Sequence, residues 1–156
     1  MDAKTKGKRL ALRYLAARMY TAREIFDRLR HKGYDSELAE EIVGELLSEK
    51  ALDDKLYAEC YVADSVNLGA KGEYRIRQEL LRKGVAPVLI DRAIEEAEVD
   101  FDASLKEFVK ERLRVTEISD YKDLMKFKAA LARRGYSSSE IRRVLDEFEF
   151  DFSNNY

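Results

Sequence analysis

The chain has 156 residues, 38% charged and 46% hydrophobic, with a formal net charge of −2. That mixture is too apolar for wholesale disorder, and the single proline and seven glycines leave little room for a turn-rich β fold. No run of about 18 apolar residues is present, which excludes a membrane-spanning helix in the sequence, and one cysteine, Cys60, is insufficient for an intramolecular disulfide, as suits a reducing cytoplasmic compartment.

The basic start, MDAKTKGKRL, lacks the apolar stretch of a signal peptide and reads as an N-terminal extension. A first helix is expected over Lys8–Tyr20, carrying Leu10, Leu12, Tyr14, Leu15 and Met19. An amphipathic stretch with Ile25 and Leu29 follows and stops at Gly33; Asp35 then caps a further helix over Asp35–Glu49. The second set opens at Asp53 or Asp54, with Leu56, Tyr57, Cys60, Tyr61 and Val66 as its apolar positions over Asp53–Val66; Cys60 is expected to be a small buried hydrophobe. Ile76 and Leu80 precede Gly84, and Pro87 falls in the first turn of the next helix, where its missing N–H does no harm. In the third set Leu105, Phe108, Val109, Leu113 and Val115 mark a helix over Asp102–Val115, Phe127 and Leu131 precede Gly135, and Ser137 caps the last helix.

Gly33, Gly84 and Gly135 are separated by 51 residues each time, and the apolar columns around them superpose. Ile25, Ile76 and Phe127 align, as do Leu29, Leu80 and Leu131, then Tyr34, Val85 and Tyr136. Beyond the glycine come Ala39, Ile90 and Ile141, then Ile42, Ala93 and Val144, then Val43, Ile94 and Leu145, then Leu46, Ala97 and Phe148. Each glycine follows basic residues at the end of a helix, where a left-handed residue closes the helix and cations suit its C-terminus. The fold expected is all-α: three tandem three-helix repeats, nine helices in an elongated, curved array. The repeats are expected at residues 1–52, 53–100 and 101–156, the first with the basic extension.

Charge follows the same period. Residues 1–34 hold ten Lys/Arg against three acidic residues, and residues 35–66 hold two Lys against ten. In each copy the segment before the glycine is basic and the segment after it acidic. Side-by-side ion pairs explain such a pattern with little energy; a positive stripe along a polyanion explains it as well. Catalysis finds no support: His31 lies at a basic helix end without a partner for proton transfer, no Cys/His cluster fits zinc, and no phosphate-cradling glycine loop occurs. No enzyme, cofactor or metal is therefore expected. Groove reading by the helix after the glycine is disfavoured because in copy one it carries Glu37, Glu40, Glu41, Glu45 and Glu49 and would meet phosphates. Tyr74 and Tyr121, each among basic residues near the start of the helix before the glycine, are placed for stacking on bases.

The central stretch LDDKLYAECYVADSVNLGAKGEYRIRQELLRKGV resembles the RecX family, bacterial regulators of the RecA recombinase. The matching residues are Leu52, Asp53, Asp54, Tyr57, Ala58, Gly72, Ile76, Glu79, Leu80, Lys83 and Gly84. Leu12, Tyr14, Leu15, Arg18, Glu24, Leu29, Lys32, Gly33 and Tyr34 are similar to the family's opening, and the likeness runs over about residues 8–150. It implies binding in the groove of RecA filaments on single-stranded DNA. It also implies inhibition of ATP hydrolysis and strand exchange in DNA repair and recombination, within the SOS response, and direct DNA binding. The expected contact residues are Arg28, Arg30, Arg75, Arg77, Arg82, Lys83, Lys126, Lys128, Arg133 and Arg134, with Gly33, Gly84 and Gly135 as structural helix ends. A monomer in the cytoplasm, away from membranes, is expected; a stand-alone DNA-binding module and a helical adaptor for another protein remain alternatives.

Overall fold

The computed structural model describes residues 1–152. Among these, the secondary structure is helical throughout: α1 Ala3–Ala17, α2 Ala22–His31, α3 Ser36–Ser48, α4 Asp54–Gly69, α5 Glu73–Arg82, α6 Pro87–Ala97, α7 Phe101–Val115, α8 Tyr121–Arg133 and α9 Ser138–Leu145. The expected third repeat ends in residues 153–156, which lie outside the described residues. The helices form three sets of three, and the chain divides into two compact units. The first unit holds Met1–Tyr61 with Leu80–Ala93; the second holds Val62–Glu79 and the chain from Ile94.

Local chemistry sets the helix starts. Asp2 accepts from the Thr5 N–H at 2.7 Å, Asp35 from Leu38 at 2.8 Å, Asp53 from Leu56 at 3.0 Å, Asp100 from Ala103 at 3.0 Å and Asp120 from Asp123 at 2.8 Å. Thr21 with Glu24, and Ser137 with Glu140, each form a reciprocal capping box. The glycines stop the second helices: Gly33, Gly84 and Gly135 have φ of 100°, 87° and 98°. At the first two turns the following amide returns to the helix, Tyr34 N to Leu29 O and Val85 N to Leu80 O, both at 3.1 Å.

The apolar columns become the cores. In the first unit Ala11, Ile25, Leu29, Ala39, Ile42 and Leu46 are fully buried, and Tyr20 and Leu52 nearly so. In the second, Leu105, Val109, Leu124, Phe127, Leu131, Tyr136, Ile141, Val144 and Leu145 cluster together. Ala97 departs from its column and is exposed, at the last residue of α6.

Three expectations change. The first helix starts at Ala3 rather than Lys8, because Asp2 caps it and the basic residues that read as a tail are helical. Gly7, buried on this helix, lets it lie close to α3: a Cβ there would stand 2.6 Å from Ile42 Cδ1 and 3.0 Å from Tyr34 Cε1. Cys60 is exposed, not buried, because the inward stripe of α4 runs through Ala58, Val62 and Ser65, and Leu56 is 47% exposed. Finally, the helix after the third glycine is not acidic. Its only acidic residue is Glu140, beside Arg142 and Arg143, and Asp146, Glu147, Glu149 and Asp151 follow the helix.

Candidate interaction surface on the second helix of each repeat

Two carboxylates of the acidic α3, and that of its C-cap Glu49, pair with α1. Lys4 stands 3.0 Å from Glu41 and 2.6 Å from Glu45, and Lys8 stands 3.4 Å from Glu45 and 2.6 Å from Glu49. Hydrogen bonds to Glu45 and Glu41 raise the pKa of the Lys4 ammonium, and the Lys4 partner lowers that of Glu45. The second unit repeats the arrangement between α7 and the α9 end. There Lys106 lies 2.9 Å from Glu147, and Arg143 grips Asp102 through two hydrogen bonds at 2.9 and 3.2 Å. In the first and third sets, then, the first helix pairs with the third helix or the residues that follow it. The basic second helices keep some of their cations clear of these pairs.

The ten expected contact residues separate into distinct environments. Arg75 is bound to Glu79 at 2.9 Å and Arg77 lies 3.7 Å from Glu73. Arg30 donates to the Tyr34 carbonyl at 3.0 Å, closing the helix end. Arg28 lies over the rings of Tyr14 and Tyr20, at 5.0 and 4.8 Å. Lys83 is 3.9 Å from Glu24 and 5.8 Å from the Tyr61 ring centre. Arg134 stacks 4.1 Å above Phe108, and burial lowers its pKa. Among the described residues, Arg82, Lys126, Lys128 and Arg133 show neither an ion pair nor a ring contact, Lys128 half-buried and the other three exposed. Within the second unit this puts three unpaired cations on α8. Sequence reasoning missed Arg18, 4.1 Å over Tyr20 and 3.8 Å from Glu24; its signal was the close spacing of Tyr14, Arg18 and Tyr20.

Two of these residues also carry a joint between consecutive repeats. In the first unit the Thr21 hydroxyl, fully buried, donates to the Lys83 carbonyl at 2.6 Å. In the second, the Gly72 amide donates to the Arg134 carbonyl at 2.8 Å. Thr21 and Gly72 are 51 residues apart, as are Lys83 and Arg134, so one joint is made twice with different donors. It brings each later glycine against the second helix of the preceding repeat: a Cβ on Gly84 would collide with Arg23, and one on Gly135 with Arg75.

The paired aspartates gain separate roles here. Asp53 caps α4, while Asp54 accepts from the Ala22 N–H at 2.9 Å and ties α4 to the start of α2. Burial raises the Asp54 pKa, so the folded state binds its proton more tightly than the unfolded chain does. The carboxylate therefore costs stability above that raised pKa, and the cost fades as pH falls through it. Asp54→Asn keeps an acceptor for Ala22 and removes the charge. It is expected to raise stability modestly at pH 7, with the gain lost by about pH 3, below the ordinary carboxylate range. Denaturant melts of both proteins at the two pH values check this; Asp54→Ala, which also removes the acceptor, is expected to lose stability.

Three family models cover most of the chain: the first, second and third three-helix domains of RecX match residues 8–46, 53–94 and 99–145. The chain belongs to the RecX family. It is 34% identical to the regulatory protein RecX of Halorhodospira halophila, over 85% of this chain and 81% of that one. To the regulatory protein RecX of Trichlorobacter lovleyi it is 35% identical, over 88% and 92%. The crystal structure of RecX from Lactobacillus salivarius superposes with a TM-score of 0.73 at 28% identity, covering 92% of this chain and 95% of that one. The family is one of regulatory proteins, and its three-domain pattern is the all-helical triple repeat described above. Among the described residues no helix is long and apolar enough to cross a membrane.

Proposed function

We propose that this RecX-family chain binds RecA filaments on single-stranded DNA and restrains the recombinase, lowering ATP hydrolysis and strand exchange. Membership of the family supports the choice of partner. The observation that carries the residue-level reading is the internal pairing of α1 with α3, and of α7 with the α9 end, which leaves second-helix cations unused. Arg82, Lys126, Lys128 and Arg133 are the principal contacts in this reading. Arg28, Arg30 and Lys83 contribute from partly engaged positions, while Arg75, Arg77 and Arg134 chiefly hold the fold. The protein acts as a cytoplasmic monomer without cofactor or metal, as a regulator rather than an enzyme. Titration into RecA–single-strand filaments is expected to inhibit ATP hydrolysis at micromolar concentration; undiminished hydrolysis at that excess excludes the reading.

A second reading, direct binding of single-stranded DNA, is favoured by Tyr74 and Tyr121. Their side chains are 67% and 64% exposed at the first turns of α5 and α8. It predicts affinity for a bare oligonucleotide at about 50 mM salt that falls steeply as salt rises. Failure to bind at that salt removes it without touching the filament reading.

A further inference from the structure

Between α8 and α9 the second unit has a groove of about 400 Å³ lined by Met125, Lys128, Ala129, Ala132, Ser138, Ile141 and Arg142. Its floor is apolar and its polar walls are two cations and a serine hydroxyl, with no carboxylate among the lining residues. Among the described residues neither Lys128 nor Arg142 has an ion pair. Met125 is 45% exposed, although it lies on the edge of a well-packed helix.

The 51-residue period shows what is particular to this groove. Ala129 stands where the first two repeats have Asp27 and Gln78, and Ala132 stands where they have Arg30 and Leu81. At the next rim position Glu40 and Asp91 give way to Arg142. Two positions that carry larger side chains in the other repeats are alanines on α8, which leaves room for a close-lying backbone. One carboxylate position on α9 has become a cation, which sets the sign of what fits. The same repeat pattern elsewhere gives no such combination, so neither helix packing nor the repeat itself accounts for it.

We infer that the α8–α9 groove is a docking site for an acidic amphipathic helical segment of a partner protein. The apolar side of that helix would enter over Met125, Ala129, Ala132 and Ile141, and its carboxylates would meet Lys128 and Arg142. Charge complementarity selects this occupant: a second copy of the chain would have to bring an acidic helix, and α3, its most acidic, already commits Glu41 and Glu45, with the C-cap Glu49, to Lys4 and Lys8. The inference goes beyond the filament reading and does not require RecA to be the partner.

The test uses the full chain, isotopically labelled, and a synthetic helical peptide with leucines at i, i+3, i+4 and i+7 flanked by glutamates. Amide shifts confined to α8 and α9 are expected, with a dissociation constant below about 100 µM at low salt. Lys128→Glu combined with Arg142→Glu is expected to weaken binding at least about tenfold, and Ala132→Trp, which fills the groove, by a similar factor. A peptide with lysines in place of glutamates should not bind. No shifts at about 1 mM peptide, shifts mapping elsewhere, tighter binding of an oligonucleotide at the same amides, or self-association through them would each overturn the proposal. Because the readout contains no RecA, its failure leaves the filament reading standing, and loss of ATPase inhibition leaves this one standing.

Discussion

Gly135→Ala is expected to destabilise the fold by about 3–5 kcal/mol, whereas Gly33→Ala is expected to cost only about 1–2 kcal/mol. Both glycines end a helix at a positive φ, 98° and 100°, so the conformational strain of adding a Cβ is nearly equal. Their surroundings differ. A Cβ on Gly33 would meet nothing within 4 Å. On Gly135 it would collide with Arg75 Cβ and stand 2.6 Å from the Arg75 amide nitrogen, part of a helix start that cannot step aside. Gly84→Ala belongs between them, because its obstacle is the Arg23 side chain, which yields at its far end but not at its Cβ. Gly72→Ala isolates the steric part: no positive φ is involved, yet its Cβ would strike the Gly135 carbonyl group. Urea unfolding of the four variants orders them, and equal losses at Gly33 and Gly135 would show that the turns are merely helix stops. Against a typical stability of about 5–15 kcal/mol the larger losses bring the protein close to unfolding at ordinary temperature.

Reversing Lys126 and Arg133 together to glutamate is expected to raise the half-inhibiting concentration in the RecA ATPase titration about 10–100-fold. Both are exposed and unpaired, so the change removes attraction and introduces repulsion without breaking an internal contact. Reversal of Lys110 and Arg114 changes net charge by the same amount on α7. There each cation pairs only along its own helix, with Glu107 at 3.6 Å and Glu111 at 3.5 Å. That control is expected to shift inhibition less than about threefold. The contrast should shrink as salt is raised, since exposed charges are screened over about 10 Å at 0.1 M. Equal effects from the two pairs would assign the inhibition to net charge and not to α8. Lys128 is left intact in this pair so that the result does not depend on the α8–α9 groove.

The glycine period and the columns around it were legible because both are local and strong. A positive-φ residue at a helix end leaves a glycine, and a 3.6-residue stripe of Leu, Ile and Val leaves a pattern. α4 was not legible in the same way. Its large apolar residues lie on several sides, while its inward stripe includes small or polar residues, Ala58 and Ser65, that carry no hydropathy signal. Placing Cys60 inside followed from weighting the larger residues. The start of α1 was hidden for another reason: Lys4 and Lys8 find their glutamates 37 and 41 residues away, and a run of lysines looks like a tail until α3 is beside it. The candidate surface suffers from the same limit. Arg75 and Lys126 lie on the corresponding second helices and look alike in sequence; one is held by Glu79 and the other has no partner among the described residues.

The joint at Lys83 and Arg134 separates two tasks within a single residue. The hydrogen bond that seats each turn is received by a main-chain oxygen, and the donor is a hydroxyl in one case and an amide in the other. Any residue at 83 or 134 supplies that oxygen. The seating bond itself therefore makes no demand on the side chains there, and substitution can change their charge and length while that bond stays in place. A scaffold built this way keeps its geometry in the backbone and leaves its outward chemistry open to adjustment, repeat by repeat.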